Sequence, residues 1–333
     1  MEYELARPFR PVTSPPPVEI EELFPELREH AATATRLHPR PGDPGVDDSS
    51  IGGPLRWPAG EPWPHCTDQD HYVDQLLTPD TVRRTRRVYA AAKARAAATG
   101  QKYTLTEAEQ AEVPEFDYTE PLALAKQPIA LVPVAQLFRR DVPDLDWPAQ
   151  AGLLQVLWCP LDHPDAGYNP RVELRWRRIA DIDGQLDPVP EPTVVNENYL
   201  PTPCVVHPEP VREHQYVDLL PENLKKRLYA WEKQSGLRYQ NDFSLAPGWK
   251  VGGFANWSLS DWQPVDCTTC GTPMTLLLTA DSGERTGSQR WRATGEEAGA
   301  PMNPVDVLIG RGYSLYVFVC PTSAAHPAAT AMQ

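Results

Sequence analysis

A Gly-Gly turn followed by a tryptophan occurs twice in this chain, and that repetition limits the possible folds more than any other feature. The first copy reads Ile51-Gly-Gly-Pro-Leu-Arg-Trp57, then Trp63, His65 and Cys66. The second reads Val251-Gly-Gly-Phe-Ala-Asn-Trp257, then Trp262 and Cys267-Thr-Thr-Cys270-Gly. Further blocks follow in the same order. Pro128-Ile-Ala-Leu131-Val-Pro-Val-Ala135 aligns without a gap with Pro273-Met-Thr-Leu276-Leu-Leu-Thr-Ala280. Gly152 to Cys159-Pro aligns with Gly312 to Cys320-Pro, and each is followed by a His-Pro pair, at His163 and His326. Two copies of a long unit point to an internal duplication, whereas a solenoid needs three or more short repeats.

Residue types give each unit its form. Gly-Gly supplies backbone torsions that a side chain obstructs, so it marks a tight turn or a close backbone approach. The runs 129–135, 153–158, 274–280 and 315–319 are short, apolar and rich in valine, leucine and aromatics, which suits buried strands. The expected fold is α+β, mainly β: duplicated sheet units packed with pseudo-two-fold symmetry, plus a few peripheral helices. The expected organisation is an N-terminal arm and helix over 1–50 and a first unit over 51–185 with a helical insertion at 67–127. A proline-rich crossing and helix follow at 186–236, then a second unit at 237–333.

The chain resembles the YwqG-like bacterial proteins, a domain of unknown function. The resemblance rests on Gly-Gly…Trp-Pro…Cys at 52–66, Ala135-Gln136 and Gly152-Leu-Leu-Gln155. It also rests on Lys250-Val-Gly-Gly-Phe-Ala-Asn-Trp257, Cys267-x-x-Cys270-Gly-x-Pro-Met274 and Tyr316-Val-Phe-Val-Cys320. It spans about two thirds of the chain and implies a sheet-dominated, intracellular α+β protein without a settled activity. The first half departs from the pattern at 67–127, where a short connection is expected.

Composition narrows the function. The formal net charge of −14 repels phosphate backbones and disfavours nucleic-acid binding as a global property. The N-terminus lacks a signal-peptide pattern and no apolar run is long enough to span a bilayer, so a cytoplasmic location is expected. Thirty-eight prolines favour extended, irregular chain between short elements. Six cysteines in a chain this long point to thiol or metal chemistry, not a disulfide scaffold.

Local patterns place several elements. Ile20, Phe24, Leu27 and Ala31 fall at helical spacing, interrupted by Pro25. Asp80 can cap a helix that ends at Gly100 and carries Arg83, Arg84, Arg86, Arg87, Lys93 and Arg95. This basic stripe reads as a solvated face balanced by nearby acids, with docking of an acidic partner as the sharper alternative. Thr106-Glu-Ala-Glu109 forms a capping-box pattern. Residues 221–235 read as a helix with Leu224, Leu228 and Trp231 on one face and Gly236 closing it. Val172, Leu174 and Trp176 alternate as in a half-exposed strand, and the tail after His326 reads as frayed.

The main candidate site is Cys267, Cys270, Cys320 and His326. A Cys-x2-Cys-Gly turn places two thiolates on one cation, and zinc prefers a tetrahedral S/N set; four protein ligands make such a site structural. The first half has Cys66, Cys159 and His163 at corresponding places but no second cysteine after Cys66. His65 or His71 could substitute, and the expectation is a degenerate site that has lost its metal. Cys204 has no partner pattern. Phosphate-loop, dinucleotide and hydrolase signatures are absent. The functional expectation is a cytoplasmic, non-enzymatic binding protein with structural zinc. Trp57, Trp63, Trp257 and Trp262 would rim a cleft between the units for a protein or peptide partner, which the chain would antagonise. The alternative is a metal-assisted hydrolase with its site between the repeats.

Overall fold

The computed structural model describes residues 11–73, 76–113, 123–284, 288–295 and 300–333. Among them lie sixteen strands in four antiparallel sheets, with a few helices outside the sheets, an α+β arrangement dominated by sheet. Two of the sheets have six strands each. The first runs, edge to edge, through Arg40–Pro41, Cys204–Val205, Ser50–Ile51, Val132–Phe138, Leu153–Trp158 and Val172–Arg177. The second runs through Glu209–His214, Ala31–Arg36, Lys250–Gly252, Thr275–Asp281, Ser314–Val319 and Ala329–Met332.

The last four strands of each sheet are paired alike. Ser50 and Ile51 face Gln136 and Ala135, and Lys250 and Val251 face Thr279 and Leu278. Val132 then faces Trp158, and Thr275 faces Val319. Both long pairings carry a register irregularity near the start of the first strand, at Pro133/Ala135 and at Leu276/Leu278. Gly52 follows its short strand and Gly252 ends its own, with φ of 63° and 69°, torsions that glycine adopts at little cost. This register places Ala135 with Leu278, two positions away from the gapless sequence match with Ala280. A slip of two residues keeps every side chain on its own face, so apolar pattern alone does not detect it.

The two sheets share one core. Leu154, Val156 and Trp158 of the first cluster with Val251, Leu278 and Val317 of the second, all buried. The strands that carry these residues are therefore apolar on the face turned to the other sheet. A satellite core of Leu55, Trp57, Trp63, Ile129, Leu157 and Leu161 covers the outer face of the first sheet. Trp257 packs with Leu276, Tyr316 and Phe318 on the second.

Several local expectations are corrected. Residues 31–36, the end of the 18–36 stretch whose apolar spacing predicts a helix, form a strand inside the second sheet, between Glu209–His214 and Lys250–Gly252. Only Ile20–Leu23 is α-helical there, with a 3-10 turn over Pro25–His30. The β-rich Ala-Thr-Ala-Thr run and the pairing offered on both sides override the helical spacing. The tail is not frayed: Ala329–Met332 pairs with Leu315–Phe318. The helix Pro79–Thr99 is capped by the Thr78 hydroxyl, not by Asp80, and ends at Gly100 as expected. The capping box at Thr106/Glu109 and the helix Glu222–Ser235 ending at Gly236 also match expectation. No helix among the described residues is long and apolar enough to cross a membrane. The proline-rich arm lies partly outside the described residues, as does part of the 67–127 insertion.

A buried ion pair ties the second sheet to its turn. Lys250 Nζ donates to Glu213 Oε1 and to the carbonyl of Phe254, while Glu213 also accepts from the N–H groups of Ala246 and Phe254. Both side chains are almost fully buried. Removing one partner strands the other charge in low dielectric. Glu213→Ala is expected to destabilise the fold by about 3–5 kcal/mol in chemical denaturation, whereas breaking the exposed Arg83–Glu191 pair should cost no more than about 1 kcal/mol.

Candidate metal centre

The strands of each sheet deliver sulfur and nitrogen atoms to one point. In the second sheet, Ser314–Val319 ends directly at Cys320. Ahead of the neighbouring strand, Cys267 and Cys270 sit on a tight turn. Gly271 has φ +70° and donates its N–H to the Cys267 carbonyl at 2.7 Å, while the Cys267 N–H donates to the Thr272 carbonyl at 2.9 Å. His326 reaches back from the loop before Ala329–Met332. Its Nδ1 lies 3.4 Å from Cys267 Sγ and 3.3 Å from Cys320 Sγ, and Cys270 Sγ lies 3.5 Å from Cys320 Sγ. The four expected residues therefore come together, and their donor atoms all lie within 4.8 Å of one another. The cysteines are free, and a sulfur separation of 3.5 Å is far beyond a disulfide bond.

The first sheet builds a matching group. Leu153–Trp158 ends directly at Cys159, and Cys66 ends the short strand His65–Cys66, which pairs with Ile129–Ala130. His163 follows in the loop after Cys159. The fourth member is His71: its Nε2 lies 3.4 Å from Cys66 Sγ and 3.6 Å from Cys159 Sγ. His163 Nε2 lies 3.9 Å from Cys66 Sγ. These four donors also lie within 4.8 Å of one another. The three residues read as remnants thus belong to a geometrically complete set of four. His65 does not take part, and its Nδ1 contacts the Trp63 carbonyl at 2.8 Å.

Both first-group histidines are oriented from behind. Nδ1 of His71 faces the Ala125 carbonyl at 3.3 Å. Nδ1 of His163 faces the Asp68 carboxylate at 3.2 Å, and Arg171 holds Asp68 in turn. A partner on the far nitrogen fixes the tautomer that leaves Nε2 free to ligate, and a carboxylate there makes the ring a stronger donor. Asp68 was not singled out from sequence; its short distance along the chain from Cys66 and His71 was the available signal.

Electrostatics favours the thiolate at Cys66 in the first group and at Cys270 and Cys320 in the second, whereas desolvation pushes Cys267 up. Hydrogen bonds to Cys159, His163 and His71 pull the Cys66 thiol far below the usual thiol range, while the bond to Cys66, with burial, pushes Cys159 up. The Cys66 sulfur raises His71. At the second group the hydroxyls of Thr272 and Thr322 bring Cys270 down to about 5, and Cys320 raises His326. Thiolates are the ligating form. The groups differ in exposure: three members of the first are buried and His71 is partly so, whereas Cys270 of the second is exposed. Either group could hold a metal ion.

The tryptophans do not form the expected rim. Trp57, Trp63 and Trp257 are buried, and only Trp262 is exposed, at 49%. The Trp57 and Trp63 rings meet at 4.8 Å, and their indole N–H groups donate to the carbonyls of Glu61 and Leu131. Large apolar rings that also satisfy their N–H are stable inside, and the space between the sheets is filled core, not a cleft. Part of the basic helix is tied down within the chain: Arg83 pairs with Glu191, Arg95 with Glu109, and Arg86 donates to the carbonyls of Glu197, Leu200 and Asp306. Cys204 is buried away from both groups and donates to the Pro304 carbonyl at 3.3 Å. No protein-family model matches the chain, and no curated protein matches it.

Elemental analysis of the purified protein should find two metal equivalents per chain. His71→Ala and Cys267→Ser should each reduce this to one, and Asp68→Asn should weaken the first site about 10–100-fold. Unchanged stoichiometry in His71→Ala would remove this histidine from the ligand set.

Proposed function

We propose that the chain is a YwqG-like, non-enzymatic binding protein of the cytoplasm, built on an internal duplication in which each unit is held by its own structural zinc ion. The observation that carries the zinc reading is the filling of all four positions by protein donors in both groups. A tetrahedron with Zn–S near 2.3 Å and Zn–N near 2.0–2.1 Å has edges of about 3.4–3.8 Å. Three of the six separations in each group lie at 3.3 to 3.9 Å, close to that figure, and the others lie within 4.8 Å. Thiolate and imidazole are donors that zinc prefers, and a reducing compartment keeps the thiols available. The repeated strand order and register support the duplication.

In this reading zinc does mechanical work. Cys66 and His71 fasten the start of the insertion to the end of the Leu153–Trp158 strand. Cys267 and Cys270 fasten their turn to the end of Ser314–Val319. Each ion neutralises thiolates and closes a long loop, and its binding free energy adds to folding. The acid surface, with 45 Asp and Glu against 31 Lys and Arg, favours a basic protein or peptide as the partner.

A strong chelator should lower the melting temperature, and added zinc should restore it. At free zinc 100-fold above the dissociation constant each site contributes about 2.7 kcal/mol. X-ray absorption should find only sulfur and nitrogen ligands. A metal-bound water oxygen at either ion, with hydrolytic turnover lost on chelation, would replace this reading with the metal-assisted hydrolase.

A further inference from the structure

The outer face of each sheet carries a polar patch at the same register, and the two patches are completed differently. In the first sheet the patch is closed by the chain itself. Gln136 Oε1 accepts from the Arg56 N–H at 2.7 Å and from Gln155 Nε2 at 3.0 Å. Gln155 Oε1 accepts from Arg177 Nε at 2.6 Å. The Arg177 guanidinium then pairs with both oxygens of Glu61, at 2.6 and 3.0 Å, and lies over the Trp57 ring at 4.4 Å. An arginine side chain fills this place.

In the second sheet the equivalent positions are changed. By register, Thr279 takes the place of Gln136 and Tyr316 that of Gln155. Arg177 faces Leu153 at the end of the first sheet; Gln333 and Ser314, which exchange backbone bonds at 2.7 and 3.0 Å, hold the corresponding place in the second. Gln333 turns instead to Ser260. A cavity of about 320 Å³ opens here, lined among others by Lys250, Asn256, Thr279, Asp281, Tyr313 and Tyr316. A volume of this order suits a small ligand.

Two oxygens at this cavity lack partners. Thr279 is 3% exposed, yet its Oγ1 makes no hydrogen bond, and neither does Asn256 Oδ1. Unpaired buried polar atoms are costly and call for a reason. Lys250 is already paired with Glu213, which leaves Asp281 as the other charged group at the wall; it accepts from the N–H groups of Gly248 and Gly283, at 3.0 Å each, and from the Ser314 hydroxyl, while burial pushes its carboxyl up. Aromatic Tyr313, Tyr316 and Trp291 line the remaining wall.

We propose that this cavity receives a guanidinium group, the arginine side chain of a basic partner, in the place that Arg177 fills in the first sheet. A guanidinium offers five N–H donors and no acceptor, which fits unpaired oxygens beside a carboxylate. Its flat face stacks on aromatic rings. The proposal rests on the binding-protein reading and names the chemistry of its partner, but it is independent of the zinc sites.

The test is calorimetric titration of the zinc-loaded protein with Nα-acetyl-L-arginine methylamide. Saturable one-to-one binding is expected, with the citrulline analogue, the uncharged isostere, at least about tenfold weaker. Thr279→Val and Asn256→Ala should each weaken the arginine probe about 3- to 10-fold at unchanged melting temperature. Absence of saturable binding, equal binding of the citrulline analogue, or tighter binding of glucose would each overturn the proposal. So would full affinity in both variants. Failure here with two zinc equivalents still bound leaves the structural-zinc reading standing. Capture of a partner that does not depend on arginine would also overturn this pocket while sustaining the broader binding role.

Discussion

Sulfur and nitrogen lone pairs gathered within 4.8 Å repel one another unless a cation or protons lie among them. Much of this architecture serves to create two such gatherings. Each central strand stops at a cysteine, and each following loop returns a histidine to it. A further pair of donors arrives from the chain ahead of the neighbouring strand. Cys159 and His163 are buried, so an uncompensated charge among these donors is costly. A cation held by either group would remove that conflict.

The two groups solve one problem with different chemistry. The second uses three thiols and one imidazole on a tight Cys-x2-Cys-Gly turn, where glycine is needed for φ +70°. The first uses two thiols and two imidazoles, and lacks that turn. Its fourth donor comes from His71, held by the Ala125 carbonyl across the insertion. Imidazole is longer than a thiol side chain, so the donor can reach the site from a backbone farther away. The buried group also needs stronger outer support, which the Asp68 carboxylate provides.

This difference explains what the sequence disclosed. The four later candidate ligands were legible because Cys-x2-Cys-Gly and Cys-Pro…His-Pro are local patterns with a direct geometric meaning. The buried strands were equally legible from runs such as Leu153–Trp158, as were the helix caps at Thr106 and Gly236. His71 was named only as one of two substitutes, because its role depends on how 67–127 folds back, a long-range matter that spacing does not report. Ala31–Arg36 was misread for a related reason. Its apolar positions fit a helix locally, and only the pairing with Glu209–His214 and Lys250–Gly252 makes it a strand. The tryptophan rim failed because burial of Trp57, Trp63 and Trp257 is decided by what covers them.

The unequal outer faces follow from the same logic of satisfied and unsatisfied polar groups. In the first sheet Gln136, Gln155, Arg177 and Glu61 close a chain of hydrogen bonds, and the one buried hydroxyl left unpartnered beside it, among the described residues, is that of Ser50, opposite Gln136. In the second, Tyr316 is a rigid ring where Gln155 is a flexible amide, and Thr279 is too short to reach across as Gln136 does. The patch consequently keeps the depth of the site but loses its filler. Lys250, which stands where the first sheet has Ser50, cannot serve as that filler, because Glu213 and the Phe254 carbonyl hold its ammonium against the turn. An external donor is then the simplest way to satisfy Thr279 and Asn256, and a face that one unit needs for its own stability becomes available in the other for recognition.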